Sequence, residues 1–553
     1  MLQVKNLEIS FKNTPPVIQN ISFDVKQTQI LGIVGESGSG KSITSLAILG
    51  LLPKYATITG KILFKEQNIL NYNNSDFQKI RGSQIAMIFQ EPMSSLNPTL
   101  TCGFQVTEVL ELHTNLSKKE IKKAVISLFK KVKLPRASAI FNAYPHQISG
   151  GQKQRVMIAM AIACKPKILI ADEPTTALDV TVQKEIIALL KELQQEYKMG
   201  IIFISHDLGL VSEIADTVVV MHKGKVVEQG TANALFLHPK ENYTKALINS
   251  KPTLKKRFKI LPTVIDFIKN TVKTELYTDE ERKNFHQKVY KQTPLLEIKN
   301  LHKEYVSKVG WFSKTTVVKA VNDVSFNIYQ GETVGLVGES GCGKTTLGST
   351  ILQLEKATSG QIIYKGEDIT RLSKKSLKKM RKDIQIIFQD PFSSLNPRIT
   401  VGNAIVEPMK VHNILNSFKE RKEYVLNLLK KVGLEKAHFY RYPHEFSGGQ
   451  RQRIGIARTI ALQPKLIICD ESVSALDVSV QAQVLNLLNE LKAEFNFTYL
   501  FISHDLSVVK YMSDQLIVMN KGKIEEIADA DEIYNNPKTS YTKTLITAIP
   551  KAL

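Results

Sequence analysis

The stretch Gly35-Glu36-Ser37-Gly38-Ser39-Gly40-Lys41-Ser42 lies between a short apolar run, residues 30–34, and a helical pattern, residues 43–52. A strand, a glycine-rich turn and a helix in this order form the G-x-x-x-x-G-K-[ST] phosphate loop. Glycines let backbone N–H groups turn inward, and the helix start adds partial positive charge, so the loop favours a polyphosphate. We predict that Lys41 reaches the β- and γ-phosphates and that the Ser42 hydroxyl holds Mg²⁺.

The same pattern occurs a second time, as Gly338-Glu339-Ser340-Gly341-Cys342-Gly343-Lys344-Thr345-Thr346. The two loop lysines are 303 residues apart, and a later matching pair, His206 and His504, is 298 apart. An offset that drifts so little indicates one unit of about 250 residues that occurs twice. We therefore predict a first domain over residues 1–250, a basic linker over 251–293 and a second domain over 294–553.

Strand and helix patterns alternate along each half. In the first half, residues 167–171 and 200–205 are short runs that are almost entirely apolar, which is typical of buried parallel strands. An amphipathic helical pattern, residues 182–197, lies between them, and residues 103–165 are mainly helical in pattern. These patterns predict an α/β fold with two tandem domains, each with a sheet core, an antiparallel β part and a helical insertion.

Composition and charge narrow the class of protein. Of the 553 residues, 43% are hydrophobic, as in a folded protein of several domains. No apolar run reaches the eighteen or so residues that span a bilayer, and the start of the chain resembles no secretory signal. We therefore expect a cytosolic chain whose membrane-spanning partners are separate. The net charge of +22 fits an anionic membrane face or a lysine-rich surface better than nucleic acid, because the lysines are not interleaved with aromatic residues.

The four cysteines, Cys102, Cys164, Cys342 and Cys469, are far apart and show no C-x-x-C spacing. This spacing argues against a zinc site, an iron–sulfur cluster or a disulfide framework. Cys342 lies in the second phosphate loop, near a helix N-terminus. That position favours an unusually acidic thiol.

Each half carries an apolar strand pattern that ends in two carboxylates, Asp172-Glu173 and Asp470-Glu471. A parallel strand ends at the sheet edge where the phosphates bind. We predict that the first carboxylate of each pair ligates Mg²⁺, directly or through water. The second is predicted to polarise a water for attack on the γ-phosphate.

Each half also carries two glycines directly before a helical pattern, in Ser149-Gly150-Gly151-Gln152 and Ser447-Gly448-Gly449-Gln450. Glycines at this place expose the backbone N–H groups of the helix start, which makes a second anion site. On composition alone, a plain turn with a helix cap is the alternative. The order and spacing of the motifs favour the anion site.

Together these motifs resemble those of the ABC transporter ATPase domains. The remaining motifs of the resemblance are a glutamine after an apolar strand (Gln90, Gln389), Ala-Leu-Asp (177–179, 475–477) and a histidine after a strand (His206, His504). The resemblance implies two P-loop NTPase domains with RecA-like sheet cores, which bind ATP and Mg²⁺ and hydrolyse ATP. It also implies that the halves pair head to tail, with the phosphate loop of one half facing the SGGQ helix of the other.

The resemblance assigns roles to single residues. The catalytic residues would be Glu173, His206, Glu471 and His504. The nucleotide would be held by residues 35–42, 149–152, 338–346 and 447–450, with Phe11 and Tyr305 stacked on adenine. The metal sites would use Ser42, Gln90 and Asp172 in one half, and Thr345, Gln389 and Asp470 in the other. Four residues would couple the two sites to each other and to the membrane partner: Asp179, Asp477, Gln90 and Gln389.

The chain departs from the family pattern at three positions. Ile148 and Phe446 replace the usual leucine before SGGQ, and Ser472 replaces the usual proline after Glu471. None of these changes touches a catalytic atom. We therefore expect two competent sites.

A finer resemblance is to the oligopeptide/dipeptide importer ATPases. It rests on residues 90–98 and 389–397, on Tyr-Pro-His before each SGGQ (144–146, 442–444), and on the Pro-x-x-x-Tyr-Thr-Lys tails that end at Lys245 and Lys543. It implies a fused pair of ATPases, peripheral at the inner membrane face, that drives uptake of peptides or similar small solutes. The partners would be two membrane permease subunits and an extracytoplasmic solute-binding protein. Residues 231–293 contain no cysteine, so we expect no iron–sulfur cluster in the tail.

The alternative is a soluble tandem ABC ATPase that acts on ribosomes or nucleic acid, which the positive charge superficially favours. Such translation factors typically carry Asn-His-Leu-Asp where this chain has Thr-Ala-Leu-Asp and Ser-Ala-Leu-Asp (176–179, 474–477), and they have a longer charged linker. A DNA-repair ATPase would need zinc cysteines. We therefore expect a transport function and no nucleic-acid partner.

Overall fold

The computed structural model describes residues 1–553 apart from 13, 91–94, 177, 255, 308–315, 391–393, 475 and 550–553. The described chain divides into two compact units, Met1–Asn249 and Ser250–Ile549. Parts of the predicted motifs, residues 91–94, residues 391–393, Ala177 and Ala475, lie outside the described residues. In the described part, no helix combines the length and the apolar character that crossing a bilayer requires.

Two sheets organise the first unit. Its strands are β1 (Leu2–Phe11), β2 (Ile18–Val25), β3 (Ile30–Val34), β4 (Ala56–Phe64), β5 (Gln67–Asn68), β6 (Ile85–Ile88), β7 (Ile168–Asp172), β8 (Gly200–Ile204), β9 (Thr217–His222) and β10 (Lys225–Thr231). The first sheet is antiparallel, with strand order β2-β1-β4-β5. The second has the order β10-β9-β3-β8-β7-β6.

The six-stranded sheet is parallel except at one edge. Strand β3 pairs in parallel with β8 and β9, and β7 pairs in parallel with β6 and β8, while β10 runs antiparallel to β9. Strands β3, β7 and β8 are buried at every position, which explains why their sequences are apolar apart from Asp172 at the end of β7. Because parallel strands end at one edge of the sheet, the segments that follow β3, β6, β7 and β8 are brought together there.

Helices connect these strands. They are α1 (Lys41–Ile48), α2 (Asn74–Ile80), α3 (Cys102–His113), α4 (Lys118–Lys131), α5 (Ala137–Asn142), α6 (Gly150–Ile162), α7 (Val180–Tyr197), α8 (Leu208–Ile214), α9 (Ala232–Leu237) and α10 (Asn242–Asn249). Helices α3 to α6 form the predicted helical insertion between β6 and β7. The sequence of α4 favours a helix because its apolar residues Ile121, Val125 and Phe129 are spaced four apart. They are buried along one face of the helix.

The second unit begins with two helices from the predicted linker, α11 (Val264–Ile268) and α12 (Asp279–Val289). Its strands are β11 (Leu296–Ser307), β12 (Thr316–Ile328), β13 (Thr333–Val337), β14 (Ser359–Tyr364), β15 (Glu367–Asp368), β16 (Ile384–Ile387), β17 (Leu466–Asp470), β18 (Thr498–Ile502), β19 (Gln515–Asn520) and β20 (Lys523–Asp529). The later helices are α13 (Lys344–Ile351), α14 (Lys374–Asp383), α15 (Val401–Val411), α16 (Phe418–Lys431), α17 (Gly448–Ile460), α18 (Val478–Phe495), α19 (Leu506–Met512), α20 (Ala530–Asn535) and α21 (Ser540–Thr547).

The second unit repeats the sheet plan of the first. Its antiparallel sheet has the order β12-β11-β14-β15, and its six-stranded sheet has the order β16-β17-β18-β13-β19-β20. Strands β13, β17 and β18 again pair in parallel and are buried throughout. The predicted fold class, a pair of α/β domains each with an antiparallel part and a helical insertion, is confirmed.

Residues 250–293 pack on the second unit. Leu261 is fully buried there, and the Asn486 side chain accepts from its N–H (2.9 Å) and donates to its C=O (2.8 Å). Arg282 forms ion pairs with Asp529 (2.9 Å) and Asp531 (3.1 Å). Within α11, Val264 is buried whereas Ile265 and Ile268 are more than half exposed. The segment is therefore held by hydrogen bonds and ion pairs as well as by apolar contact.

A buried carboxylate lies where this segment meets the sheet. Glu332 is fully buried, and it accepts hydrogen bonds from the Tyr290 hydroxyl (2.9 Å) and the Tyr329 N–H (2.9 Å). Burial, reinforced by Asp514, raises the pKa of Glu332 to about 7. The first unit has Gln29 at the matching place, and its side-chain oxygen accepts from the Lys26 N–H at 2.9 Å. A glutamine side chain at position 332 could therefore accept the same backbone hydrogen bond without carrying a charge.

We predict that Glu332→Gln stabilises the second unit at pH 8 but not at pH 5. An unfolded glutamate loses its proton near pH 4.3, whereas the folded Glu332 keeps its proton up to about pH 7. Wild-type stability is therefore lost as the pH rises through this window, by roughly 2–4 kcal/mol when complete. The variant avoids this loss. Thermal melting of both proteins at the two pH values measures the difference, and a variant that melts no higher than wild type at pH 8 contradicts the prediction.

Candidate functional site

The first phosphate loop lies between β3 and α1, and glycine makes its path possible. Gly35, Gly38 and Gly40 have φ values of 151°, 78° and 100°, a region that other residues rarely adopt. Lys41 is the first residue of α1 and is buried. Its Nζ donates to the carbonyls of Gly35 and Glu36, both at 2.8 Å. The loop and its lysine thus form one hydrogen-bonded unit.

The second loop, between β13 and α13, has the same geometry. Lys344 Nζ donates to the carbonyls of Gly338 (2.8 Å) and Glu339 (2.9 Å) and lies 3.8 Å from the Cys342 sulfur. Burial raises the pKa of the Cys342 thiol above its usual value, although Lys344 acts in the opposite direction. The expectation of an acidic thiol is therefore wrong, because burial outweighs the nearby positive charge.

The paired carboxylates lie at the ends of β7 and β17. The backbone turns left-handed directly after each strand, with φ of 49° at Glu173 and 47° at Glu471. Each glutamate N–H still donates to the neighbouring strand, to Ile204 or Ile502, at 2.9 Å. A non-glycine residue in this region costs of order 1–3 kcal/mol, a strain that is common at functional sites. Because of this turn, the side chains of the aspartate and the glutamate in each pair have different neighbours.

In the first unit, three polar side chains surround one carboxylate oxygen of Glu173. Glu173 Oε2 accepts from Gln90 Nε2 (2.9 Å) and Thr176 Oγ1 (2.9 Å), and His206 Nδ1 lies at 3.2 Å. Burial alone would raise the pKa of Glu173, but the hydrogen bond and charge of His206 outweigh burial and lower it to about 2. Burial also opposes charging of His206, yet Glu173 raises its pKa above the usual value. The neighbouring histidine therefore favours the ionised carboxylate of Glu173.

The second unit keeps this cluster with one change. Glu471 Oε2 accepts from Gln389 Nε2 (2.7 Å), and His504 Nδ1 lies at 3.3 Å. The hydroxyl of Ser474, which replaces Thr176, donates to the Glu471 backbone carbonyl at 2.9 Å instead of to the carboxylate. Burial opposes ionisation of Glu471, but His504 and Lys344 lower its pKa below the usual value. Both glutamates are thus ionised at neutral pH.

The aspartates face the loop hydroxyls. Asp470 Oδ1 accepts from Thr345 Oγ1 at 3.2 Å, and Asp172 is hydrogen-bonded to Ser42. Burial raises the pKa of both aspartates, although the hydroxyls and the loop lysines lower it. Asp172 Oδ1 is buried and has no hydrogen-bond partner among the described residues. An unpartnered buried carboxylate oxygen is costly unless a ligand completes its surroundings.

The SGGQ segments form the N-termini of α6 and α17. Ser149 and Gln152 make a reciprocal capping box, and Ser447 and Gln450 make the same one. A Cβ added at Gly449 would lie 2.3 Å from Val480, so packing requires that glycine, whereas a Cβ at Gly448 would meet no atom of the described residues within 4 Å. The fold therefore explains the second glycine of the motif and leaves the first one unexplained.

The remaining predicted residues are placed as follows. Asp179 and Asp477 cap α7 and α18 and accept from the N–H groups of Val182 (2.9 Å) and Val480 (3.0 Å). Phe11 ends β1 and its ring centroid lies 6.0 Å from that of Tyr55. Tyr305 on β11 is 41% exposed, with Lys303 Nζ 4.8 Å from its ring centroid.

Comparison with known families accounts for this arrangement. The model of the ABC transporter family matches residues 18–176 and 321–474, which contain both phosphate loops and both SGGQ helices. The chain belongs to the ABC transporter ATPases. A second model, of the oligopeptide/dipeptide transporter C-terminal region, matches residues 227–270 and 526–552.

Individual ABC transporter ATPases match along the whole chain. The glutathione import ATP-binding protein GsiA of Escherichia coli K12 is 45% identical over 565 residues, which cover 100% of this chain and 90% of that protein. The protein of the same name from Shigella boydii serotype 4 is 44% identical over 571 residues, with the same coverage. A solved dimeric ATP-binding cassette in a post-hydrolysis state with ADP and Pi is 30% identical and covers 42% of this chain and 98% of its own, with a TM-score of 0.39.

Family membership settles the activity. As an ABC transporter ATPase of the importer group, the chain binds ATP and hydrolyses it to power uptake. The comparisons do not favour the alternative, a soluble tandem ATPase that acts on ribosomes or nucleic acid.

Three contacts at the site were not predicted from the sequence. Thr176 donates to Glu173, and the exposed Tyr55 lies beside Phe11. The third contact joins each tail tyrosine to a phosphate loop: Glu36 N–H donates to the Tyr243 hydroxyl, and Glu339 N–H to the Tyr541 hydroxyl, both at 3.2 Å. The only indication of this contact in the sequence was that the Pro-x-x-x-Tyr-Thr-Lys motif occurs in both halves.

Proposed function

We propose that this ABC transporter ATPase powers the uptake of peptides or peptide-like small solutes. It would work at the cytoplasmic face of the inner membrane with two permease subunits and an extracytoplasmic solute-binding protein. The observation that carries the proposal is the oligopeptide/dipeptide C-terminal region, which is matched once behind each ATPase domain. Relatives that match over the full chain are named for the import of glutathione, which is itself a small peptide.

Co-purification tests the transport proposal. A tagged full-length chain, expressed in its own cells, is isolated after detergent solubilisation of the membranes. We expect two integral membrane permeases to be isolated with it and to remain bound in moderate salt. Recovery with ribosomes, in a salt-sensitive manner and without permeases, would overturn the proposal.

We also propose the domain boundaries and residue roles given by the motifs. The domains are 1–250 and 294–553, joined by residues 251–293. Glu173 and Glu471 would polarise the attacking water, while His206 and His504 contact the γ-phosphate. The low pKa of Glu173 supports a carboxylate that orients and polarises water without storing a proton at neutral pH.

Each nucleotide is proposed to use residues from both halves. Lys41, Asp172 and Glu173 would act with the Ser447-Gly448-Gly449-Gln450 helix, and Lys344, Asp470 and Glu471 with the Ser149-Gly150-Gly151-Gln152 helix. This pairing rests on the family resemblance. The space at Gly448 supports a close ligand at the helix start, since none of the described residues requires glycine there.

The residues at each site fit Mg²⁺. Ser42, Asp172 and Gln90 would hold the ion in one half, and Thr345, Asp470 and Gln389 in the other. Asp172 Oδ1 is buried and has no partner in the part of the chain that the structure describes, and a hard cation prefers such oxygen ligands. Among the described residues, no group of three or more His, Cys, Asp or Glu side chains could hold a metal. Mg²⁺ does not need such a cluster, because it is usually bound through one or two carboxylates together with phosphates and water. When bound, the ion would neutralise charge on the β- and γ-phosphates.

We predict that Asp172→Asn raises the Mg²⁺ concentration needed for half-maximal ATP hydrolysis at the first site by about 10–100-fold. The asparagine has nearly the same shape but lacks the anionic oxygen. The measurement is a Mg²⁺ titration of phosphate release in chains that carry Glu471→Gln, so that only the first site contributes. Asp24→Asn, an exposed carboxylate on β2, is the control. An unchanged Mg²⁺ requirement contradicts the assignment.

A further inference from the structure

The tail motif Pro-x-x-x-Tyr-Thr-Lys has a structural relation to the phosphate loop. Tyr243 and Tyr541 are the second residues of α10 and α21. The hydroxyl of Tyr243 accepts a hydrogen bond from the Glu36 N–H, and that of Tyr541 accepts one from the Glu339 N–H, both at 3.2 Å. The contact occurs in both units with the same length. It is therefore a repeated feature of the fold and not an accident of one surface.

The amide that each tyrosine binds belongs to the peptide group that holds the loop lysine. The N–H of Glu36 and the C=O of Gly35 are the two ends of one peptide group, and that C=O accepts from Lys41 Nζ at 2.8 Å. In a trans peptide these two groups point in opposite directions from a rigid plane. The tyrosine hydroxyl and the lysine therefore hold the same plane from its two sides. Gly338 and Lys344 repeat this in the second unit at 2.8 Å.

This peptide group needs an external constraint because it follows a glycine. Gly35 has φ of 151°, and a Cβ there would lie 2.1 Å from the Met221 carbonyl oxygen, so no other residue fits. Glycine also permits rotation of the next peptide at little steric cost. A rotated peptide would withdraw its carbonyl from Lys41. A hydroxyl that binds the N–H opposes this rotation.

The tail helix is itself anchored directly before the tyrosine. Glu228 on β10 accepts from the N–H groups of Lys240 (2.9 Å) and Glu241 (3.1 Å). In the second unit, Glu526 on β20 accepts from Lys538 N–H at 3.1 Å and Thr539 N–H at 3.3 Å. Tyr243 is buried, with its ring centroid 4.0 Å from that of His222. The hydroxyl is thus placed by the sheet and not by a loose terminus.

We propose that Tyr243 and Tyr541 are positioning residues for ATP binding. Each holds the first peptide of its phosphate loop in the orientation that fixes the loop lysine for the triphosphate. The proposal rests on the assignment of Lys41 and Lys344 to the phosphates. The tail region would then tune nucleotide affinity through one peptide group in each half.

The test is the full-length double variant Tyr243→Phe/Tyr541→Phe, which removes only the two hydroxyls. Loss of one hydrogen bond per site should raise KM for ATP and the Kd of an ATP analogue by about two- to tenfold, with kcat changed less than twofold. Tyr499→Phe is the matched control, because the Tyr499 hydroxyl donates to the Leu488 carbonyl (3.0 Å) inside the core of the second unit. This control should leave KM unchanged.

An unchanged KM and Kd in the double variant would overturn the proposal. A parallel fall in kcat and melting temperature, without a specific rise in KM, would also overturn it, because it would show a purely structural role. If the double variant does not fold, the single variants provide the same comparison with one altered site. The double variant Lys41→Ala/Lys344→Ala separately tests the assignment of the two lysines to the phosphates. Unchanged ATP binding in that variant would refute this assignment.

Discussion

Replacing both Glu173 and Glu471 by glutamine is expected to lower ATP hydrolysis by about 10²–10⁴-fold while ATP still binds. Each carboxylate is ionised and held by a glutamine and a histidine, at distances of 2.7 to 3.3 Å. Glutamine keeps the size of the side chain but removes the charge that is proposed to polarise water. Steady-state phosphate release of the full chain, with each single variant beside the double one, measures the effect.

Glu192→Gln is the matched control for these variants, since that carboxylate is exposed and pairs with Lys133 on the surface. We expect wild-type activity from it. If either single variant at Glu173 or Glu471 hydrolyses ATP at the wild-type rate, that half does not contribute to catalysis. The expectation of two competent sites would then be wrong.

The second large effect is expected at the first glycine of each SGGQ motif. In Gly150→Asp/Gly448→Asp, the new side chain has room among the described residues. A Cβ at Gly150 would lie 3.9 Å from Leu178, and one at Gly448 would meet none of these residues within 4 Å. A negative charge at the first position also favours the helix. The fold should therefore be as stable as before. A carboxylate where a phosphate is proposed to bind should nevertheless lower hydrolysis by about 10²-fold or more.

Melting temperature and phosphate release, measured on the same preparations, separate the two effects. The matched contrast is Gly151→Ala/Gly449→Ala, in which the added Cβ would lie 3.0 Å from Val182 and 2.3 Å from Val480. That pair should melt earlier because packing is disturbed. Normal hydrolysis by the aspartate variant would contradict a nucleotide contact at the helix start.

Patterns of apolar residues predicted the framework of each unit. Strand β7, from the apolar run before Asp172, is buried at every position, and the predicted helix over residues 182–197 lies within α7. The prediction for α1 was less accurate, because the apolar pattern starts at residue 43 whereas the helix already includes Lys41. The backbone conformation of the loop glycines determines where the helix begins. The spacing of apolar residues carries no information about that position.

Contacts that depend on backbone direction could not be predicted from the sequence. The left-handed turn at Glu173 places that residue among Gln90, Thr176 and His206, and residue order alone does not specify such a turn. The same holds for the loop contact of Tyr243, which joins residues 207 positions apart. Burial of Cys342 reversed the expected acidity for the same reason, since the environment of a thiol depends on packing.

The central claim is that each ATP is held by the phosphate loop of one half and the SGGQ helix of the other. The most direct test measures ATP retained per full-length chain in the Glu173→Gln/Glu471→Gln background, after adding one of two pairs of changes. Lys41→Ala with Gly448→Asp damages one proposed site twice, so half of the retained ATP should remain. Lys41→Ala with Gly150→Asp damages both proposed sites, so almost none should remain. The reverse pattern, with ATP kept by the second pair and lost from the first, would show that each half uses its own helix and would contradict the claim.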